Sequence, residues 1–477
     1  MTRRIFSFIL ASLFTLGAFA ERKEVHILSC NDMHAAIEAF PMLADIADSL
    51  RTLYPGLLVL SAGDNRTGEP LNDMYEIPAY PMVALMNQIG FDATTLGNHE
   101  FDSGPRGLAR VINLSNFSYI CANVHPADSL GIHLVPTKVF DVEGTKVGII
   151  GAVQLGTHGI PDSHPDNVHG FEFSPVNETI AKYEYLRKQC DVVILLTHIG
   201  YEDDVAIAPL FPWADVIVGG HSHTQLNGGE MHNGLLITQN ENRLKKVTHT
   251  TIVVDEGRVV EKRAENIDVR RWKGQNKVVA EMVRFFSDNP AFSRVLTQAA
   301  TPFDIEEELG SMMCDAFMAE TGADIAIQNA GGVRYDQHEA GPFSVSDVLR
   351  LDPFGNDAVV MEVTGEELRQ MLVACGNNDG HGFPYVGGFQ CDVVYDKNDS
   401  YKVKDVKLTK PDGSKFDMKR KYQLVTNSYV ASIADSPRKD QGHSINRLTA
   451  DLIINYLERQ PSVSYQGVSR VVNARRE

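Results

Sequence analysis

The sequence predicts an α/β protein of two domains. Short apolar runs that end in polar or glycine-rich turns alternate with helical patterns from residue 24 to about 255. The character shifts over 256–300, and a second α/β-like pattern follows from about Thr301. At 477 residues the chain is also too long for one ordinary core.

The elements are taken in chain order. The first segment, MTRRIFSFILASLFTLGAFA, joins Arg3 and Arg4 to an apolar run and then to the small-residue pattern Ala18-Phe19-Ala20. It reads as a secretory signal over residues 1–20, cleaved after Ala20, which puts the mature chain in the periplasm or outside the cell. No later stretch is long and apolar enough to span a bilayer. The first domain is expected over 21–265. Its strands are EVHILSC, GLLVLSAGD, ATTLGNHE, SYICANV, KVGIIGAV, DVVILLTHIG and DVIVGGHSH, and GLLITQ and HTTIVVDEGRVV form a closing meander. In FPMLADIADSLRTLY, Leu43, Ile46, Ala47 and Leu50 recur on one helical face. Alternation of this kind buries a largely parallel sheet between helices. The basic stretch KRAENIDVRRWKG and the helical pattern NKVVAEMVRFFSDN read as a linker and linker helix ending at 300. The second domain, 301–477, then has helices LGSMMCDAFMAETG and TGEELRQMLVACG and strands DIAIQNAGG, FQCDVVYD and YQLVTNSYV.

Composition narrows the function classes. With 43% hydrophobic and 22% charged residues the chain is globular. A net charge of −18 argues against a partner such as a nucleic-acid polymer, so an anionic substrate would need a local device such as a bound metal. The six cysteines are too sparse for a disulfide scaffold and lack zinc-knuckle spacing. Cys30, Cys121 and Cys190 read as buried thiols, and Cys375 and Cys391 are a candidate bridge.

Five successive strand ends in the first domain carry Asp, Asn or His: NDMH (Asp32, His34), AGDN (Asp64), GNHEFD (Asn98, His99, Asp102), LTHIG (His198) and GGHSH (His221, His223). Each alone has an ordinary explanation, a helix cap for Asp32 or a turn for Asp64. Together they fall where open α/β sheets bind ligands, outside the carboxyl ends of the strands. Carboxylate and imidazole without thiolate suit zinc, manganese, iron or a similar divalent ion.

These blocks resemble the D-x-H, G-D-N, G-N-H-[ED], H and G-H-x-H motifs of the calcineurin-like metallophosphoesterases, and within them the secreted 5'-nucleotidase and UDP-sugar hydrolase group. The resemblance covers essentially the whole mature chain, more loosely after 300. It implies a four-layer αββα metallophosphoesterase domain joined by a linker helix to a 5'-nucleotidase-type α/β substrate domain. It further implies two divalent metal ions, zinc, manganese, cobalt or magnesium. Asp32, His34, Asp64 and His223 would hold one, Asp64, Asn98, His198 and His221 the other, with Asp64 bridging. His99 is implied to act on the phosphoryl group or the leaving oxygen, Asp102 to orient it, and Glu100 to be structural.

For the second domain, QNAGGVRYD resembles the family's N-x-G-G-x-R motif and implies Asn329 and Arg334 as substrate contacts. LDPFGND implies Phe354, and TNSYVASIADS implies Tyr429 and Asp435, so that a nucleotide base would lie between two aromatic faces. Two departures stand out. The family's G-G-D-G-aromatic run is replaced by Ile433-Ala434-Asp435-Ser436-Pro437, and an arginine expected near the start of the domain's first helix gives way to Glu306, Glu307 and Glu308. The implied activity is that of an exported 5'-nucleotidase acting on a small nucleotide. The alternatives are a UDP-sugar hydrolase, a 2',3'-cyclic nucleotide phosphodiesterase/3'-nucleotidase, and more remotely a non-catalytic nucleotide-binding protein.

Overall fold

The computed structural model describes residues 22–475 apart from 157, 289, 379, 380 and 400. The expected signal segment and its cleavage point at Ala20 lie outside the described residues. The first domain is built on two six-stranded sheets. One runs Arg258–Asp268, Lys246–Asp255, Lys23–Cys30, Leu58–Ser61, Ala93–Thr94, Ser118–Tyr119. The other runs Glu230–His232, Leu235–Thr238, Val216–Val218, Val192–His198, Thr145–Val153, Thr137–Val142. Each has four parallel strands with antiparallel additions at its edges.

Side-chain alternation explains the layering. In Lys23–Cys30, Val25 and Ile27 point into the core between the sheets, while Leu28 and Cys30 face the helices outside. In Val192–His198, Val192, Ile194 and Leu196 join the same inter-sheet core, and Val193 and Leu195 face the helices on the far side. Strands covered on both faces are apolar throughout, and the result is the four-layer αββα sandwich expected from the resemblance. Each fully buried aliphatic side chain contributes roughly 1.5–3 kcal/mol.

The helix of FPMLADIADSLRTLY forms over Phe40–Leu53 with Pro41 in its first turn, and buries Leu43, Ala44, Ile46 and Ala47. The stretch KRAENID, read as linker, instead continues the edge strand Arg258–Asp268. Its charged residues sit on a solvated sheet edge, which composition alone does not separate from a loop. The following helix, Lys277–Ser287, is capped by the Asn276 side chain and packs Phe286 edge-on against Tyr75 and Tyr80 of the first domain.

The second domain contains a five-stranded mixed sheet in the order Tyr385–Gly387, Ile325–Gln328, Lys421–Asn427, Asp357–Thr364, His443–Leu448. Its first ordered pairing starts before Thr301, since Val295–Ala299 pairs with Gly341–Ser344. Helices Glu306–Thr321 and Thr449–Glu458 share one core, and helix Gly365–Asn378 packs into another. Cys375 and Cys391 are separate thiols in that second apolar core, so the candidate bridge does not form. Glu307 and Glu308 are taken up by backbone N–H groups. Glu307 accepts the backbone N–H groups of Arg470 and Val471, and Glu308 those of Asp304 and Gly467, which ties the C-terminal segment to the helix start.

Candidate active site

The five strand ends converge. Five residues there adopt left-handed backbone conformations: Asp32, His34, Asp64, His221 and His223 have φ of 48°, 44°, 50°, 85° and 55°. Such conformations are uncommon outside glycine and concentrate at functional sites. They turn each side chain off its strand toward one point. Gly97 allows the closest approach, because a Cβ there would lie 2.1 Å from Asp64 Oδ1. Glu100 braces the same turn, its carboxylate accepting the backbone N–H groups of Asp64, Asn65 and Gly97.

The donor atoms fit divalent cations. Ligand atoms of Asp32, His34 and His223 lie within 4.8 Å of one another, as do those of Asp32, Asp64 and His198. His34 and His223 bring their Nε2 atoms to 3.2 Å, and His198 Nε2 lies 3.2 Å from Asp64 Oδ2. Asn98 donates its amide to the Asp162 carbonyl, which turns its oxygen toward His198 Nε2 at 3.3 Å and His221 Nδ1 at 3.0 Å. Nδ1 of His198 and of His34 lie against the backbone carbonyls of Ala62 and Thr67. Outer hydrogen bonds of this kind leave Nε2 to face the cluster. Although burial opposes ionisation, the surrounding histidines hold Asp32 and Asp64 well below the usual carboxylate range. Burial likewise works against a charge on His198, yet Asp64 and Asp32 push its imidazole up to about 10. The carboxylate pair calls for positive charge at this point. Burial, followed by the neighbouring His198, pushes His221 down to about 3.

His99 stands beside this cluster. Its Nδ1 donates to Asp102 Oδ2 at 2.8 Å, and the Thr67 hydroxyl fixes the same oxygen from 2.7 Å. Its backbone N–H donates to Asp64 Oδ1 at 2.9 Å. Burial disfavours its protonation, but Asp102 and then Asp64 raise it above the ordinary value. His99 also shares a group of donor atoms with His34 and Asp64, so it lies nearer the cluster than its sequence position alone discloses.

Across from His99 the second domain closes a cavity. Asn329, Arg334, Phe354 and Tyr429 line it together with Asn98, His99 and Asp102. Arg334 reaches to 3.1 Å from His34 Nε2, and its guanidinium lies 5.5 Å above the Phe354 ring. Phe354 itself stacks on His99 at 5.6 Å between centroids. Asp435 is exposed and is not among the lining residues. Sequence reading did not single out Asp162, Asn356 or His381, which also line the cavity. Only His381, set between glycines in GHG, carried any signal there.

An αββα sandwich with this nitrogen and oxygen cluster at its strand ends, completed by a second α/β domain, defines a metal-dependent phosphoester hydrolase. Residues 25–225 match the calcineurin-like phosphoesterase family and residues 288–437 match the 5'-nucleotidase C-terminal domain. It is 27% identical to a 5'-nucleotidase of Vibrio cholerae, over 84% of this chain and 82% of that one. It is 24% identical to the trifunctional nucleotide phosphoesterase protein YfkN of Bacillus subtilis, over 86% of this chain but 32% of YfkN, and so spans about a third of that relative. In fold it is similar to a 5'-nucleotidase precursor of Thermus thermophilus, with a TM-score of 0.81 at 24% identity, covering 94% of this chain and 100% of the other.

Proposed function

We propose that the chain is an exported 5'-nucleotidase that releases phosphate from nucleoside 5'-monophosphates. The observation that carries this reading is the cavity itself, where His99 and the ligand Asn98 on one wall face Arg334, Phe354 and Tyr429 on the other. Asp32, His34, Asp64 and His223 would hold one divalent ion, and Asp64, Asn98, His198 and His221 a second. Such ions, when bound, supply a nucleophilic water near neutral pH and neutralise charge on phosphoryl oxygens.

The side chains supply the rest. Arg334 offers a planar fork of N–H donors to the phosphoryl oxygens. His99, with Nδ1 engaged by Asp102, presents Nε2 to the leaving 5' oxygen and carries the proton that oxygen takes up. Asp102 is the positioning residue that fixes ring and tautomer. Phe354 and Tyr429 flank the base, at roughly 1–3 kcal/mol for stacking. A ribose contact from Asp435 is not part of this proposal, given where its side chain lies.

The test is phosphate release from AMP and UMP with manganese, zinc, cobalt or magnesium, set against UDP-glucose, 2',3'-cyclic AMP and 3'-AMP. The nucleoside 5'-monophosphates are expected to be fastest. His99→Ala is expected to lower kcat on the order of 10²- to 10⁴-fold. Faster release from UDP-glucose or a cyclic nucleotide would replace the substrate assignment. Full activity in Asp64→Ala and His99→Ala would overturn the site.

A further inference from the structure

One imidazole of the second domain lines the cavity but has been given no role so far. His381 lies between helix Gly365–Asn378 and strand Tyr385–Gly387. It lines the cavity that holds His99 and Arg334, and also the crevice beside His221 and Ser222. It therefore stands where the second domain meets the donor cluster of the first.

The chain makes room for this ring. A Cβ on Gly331 would lie 2.4 Å from His381 Cδ2 and 3.0 Å from Cγ, so the first glycine of QNAGGVR is required by the imidazole. Arg334, then His221, His223 and His99, act on it through space, and Asp162 lines both spaces. Positive and neutral donors thus predominate around His381, with Arg334 foremost. The family resemblance leads one to expect a further arginine near the helix start at Glu306, but Glu307 and Glu308 are engaged with the C-terminal segment. A second donor to an anion has to come from elsewhere.

We propose that His381 is a substrate-binding residue that donates an N–H to the phosphoryl group alongside Arg334. This rests on the reading of the cavity as a phosphoester site, but not on the substrate being a nucleotide. Burial and then Arg334 push the imidazole down to about 3, so it serves as a neutral donor while Arg334 supplies the charge. The arrangement gives the phosphoryl group two donors of different geometry from one domain, and Gly331 is what lets both reach it.

The test is calorimetric titration of inorganic phosphate into the manganese-loaded full chain. His381→Ala is expected to weaken phosphate binding about tenfold, the loss of one hydrogen bond to a charged group. His381→Gln keeps an N–H donor and is expected to stay within about threefold of the parent. Adenosine binding, measured on the same samples, is expected to be unchanged in both variants. Phosphate affinity of His381→Ala within about twofold of the parent would overturn the proposal, as would absence of phosphate binding in the parent. Equal weakening of phosphate and adenosine in both variants would show a packing role instead. A parent that hydrolyses p-nitrophenyl phosphate but not AMP would sink the nucleotidase reading, and the phosphate titration would still decide the role of His381.

Discussion

Gly97 precedes Asn98 and His99 by one and two residues, and its missing side chain is what the Asp64 carboxylate rests on. Gly97→Ala would push a methyl group to 2.1 Å from Asp64 Oδ1, which the His99 backbone N–H holds, and 2.6 Å from the Asp64 backbone nitrogen, which Glu100 holds. Overpacking of this kind costs about 1–3 kcal/mol, and disturbing a ligand's support lowers metal affinity on the order of 10- to 100-fold. The expected outcome is weaker manganese binding by calorimetry with an unchanged circular dichroism spectrum. Manganese affinity equal to the parent's would show that Asp64 is not held from this side. The row of strand-end residues was legible because oxygen and nitrogen donors recur after apolar runs, a pattern that burial alone does not produce. His381, Asn356 and Asp162 were not, because they reach the cavity from turns that are distant in the chain and have no periodicity. Glu307 and Glu308 were misleading for a related reason: their partners are backbone N–H groups some 160 residues later, which no local pattern reveals.

The segment GDNRTGEPLND, 63–73, connects the cluster to the domain interface. It carries Asp64 near its start and ends in the short helix Pro70–Asp73, where Asp73 accepts the backbone N–H groups of Thr67, Gly68 and Glu69. Between them Glu69 is fully buried, pairs with Arg350 of the second domain at 2.7 Å and keeps Oε1 without a partner. Burial outweighs the pull of Arg350 and raises the Glu69 carboxyl to about 7. Its folded value lies above that of an unfolded glutamate, so the protonated form is favoured in the fold. The stability it contributes is present below about pH 4.5 and is lost as pH rises through about 7. Glu69→Gln is expected to flatten that part of the stability profile, by up to about 3 kcal/mol. Thermal melts from pH 4.5 to 8 check this, and parallel slopes in parent and variant would count against it. Buried strands were legible in the sequence as short apolar runs ending in polar turns, and long helices through their period of 3.6. The edge strand Arg258–Asp268 was not, because a solvated edge admits the charged composition of a linker.

At the scale of the whole molecule, the site exists only while the two domains are together. His99, Asp102 and the donor cluster belong to the first, whereas Arg334, Phe354, Tyr429 and His381 belong to the second. The cavity between them is about 80 Å³, with the Phe354 ring lying on His99 where a leaving group would sit. A nucleotide whose leaving oxygen met His99 would displace the Phe354 ring stacked on it, together with the surface that carries that ring. Arg350 opposes withdrawal, since its guanidinium reaches Glu69 at 2.7 Å and Glu38 at 2.7 Å across the interface. Helix Lys277–Ser287 packs on the first domain through Phe286, which would place the pivot of such a motion after it. We predict that Arg350→Ala shifts the free protein toward an open arrangement. Breaking one side of a partly buried ion pair costs on the order of 1–3 kcal/mol, enough to change a closed-to-open ratio about five- to a hundredfold. Small-angle scattering should show a larger radius of gyration for Arg350→Ala than for the parent, and a return to the parent's value when manganese and phosphate are added. On the proposed reading, phosphate would be held by Arg334 and His381 on one side and by metal ions in the first-domain cluster on the other, and it would favour closure only if both domains grip it. An Arg350→Ala radius equal to the parent's would assign closure to the apolar and hydrogen-bonded contacts around Arg334 instead. A radius that stays enlarged with phosphate bound would mean that the second domain does not share in holding the phosphoryl group.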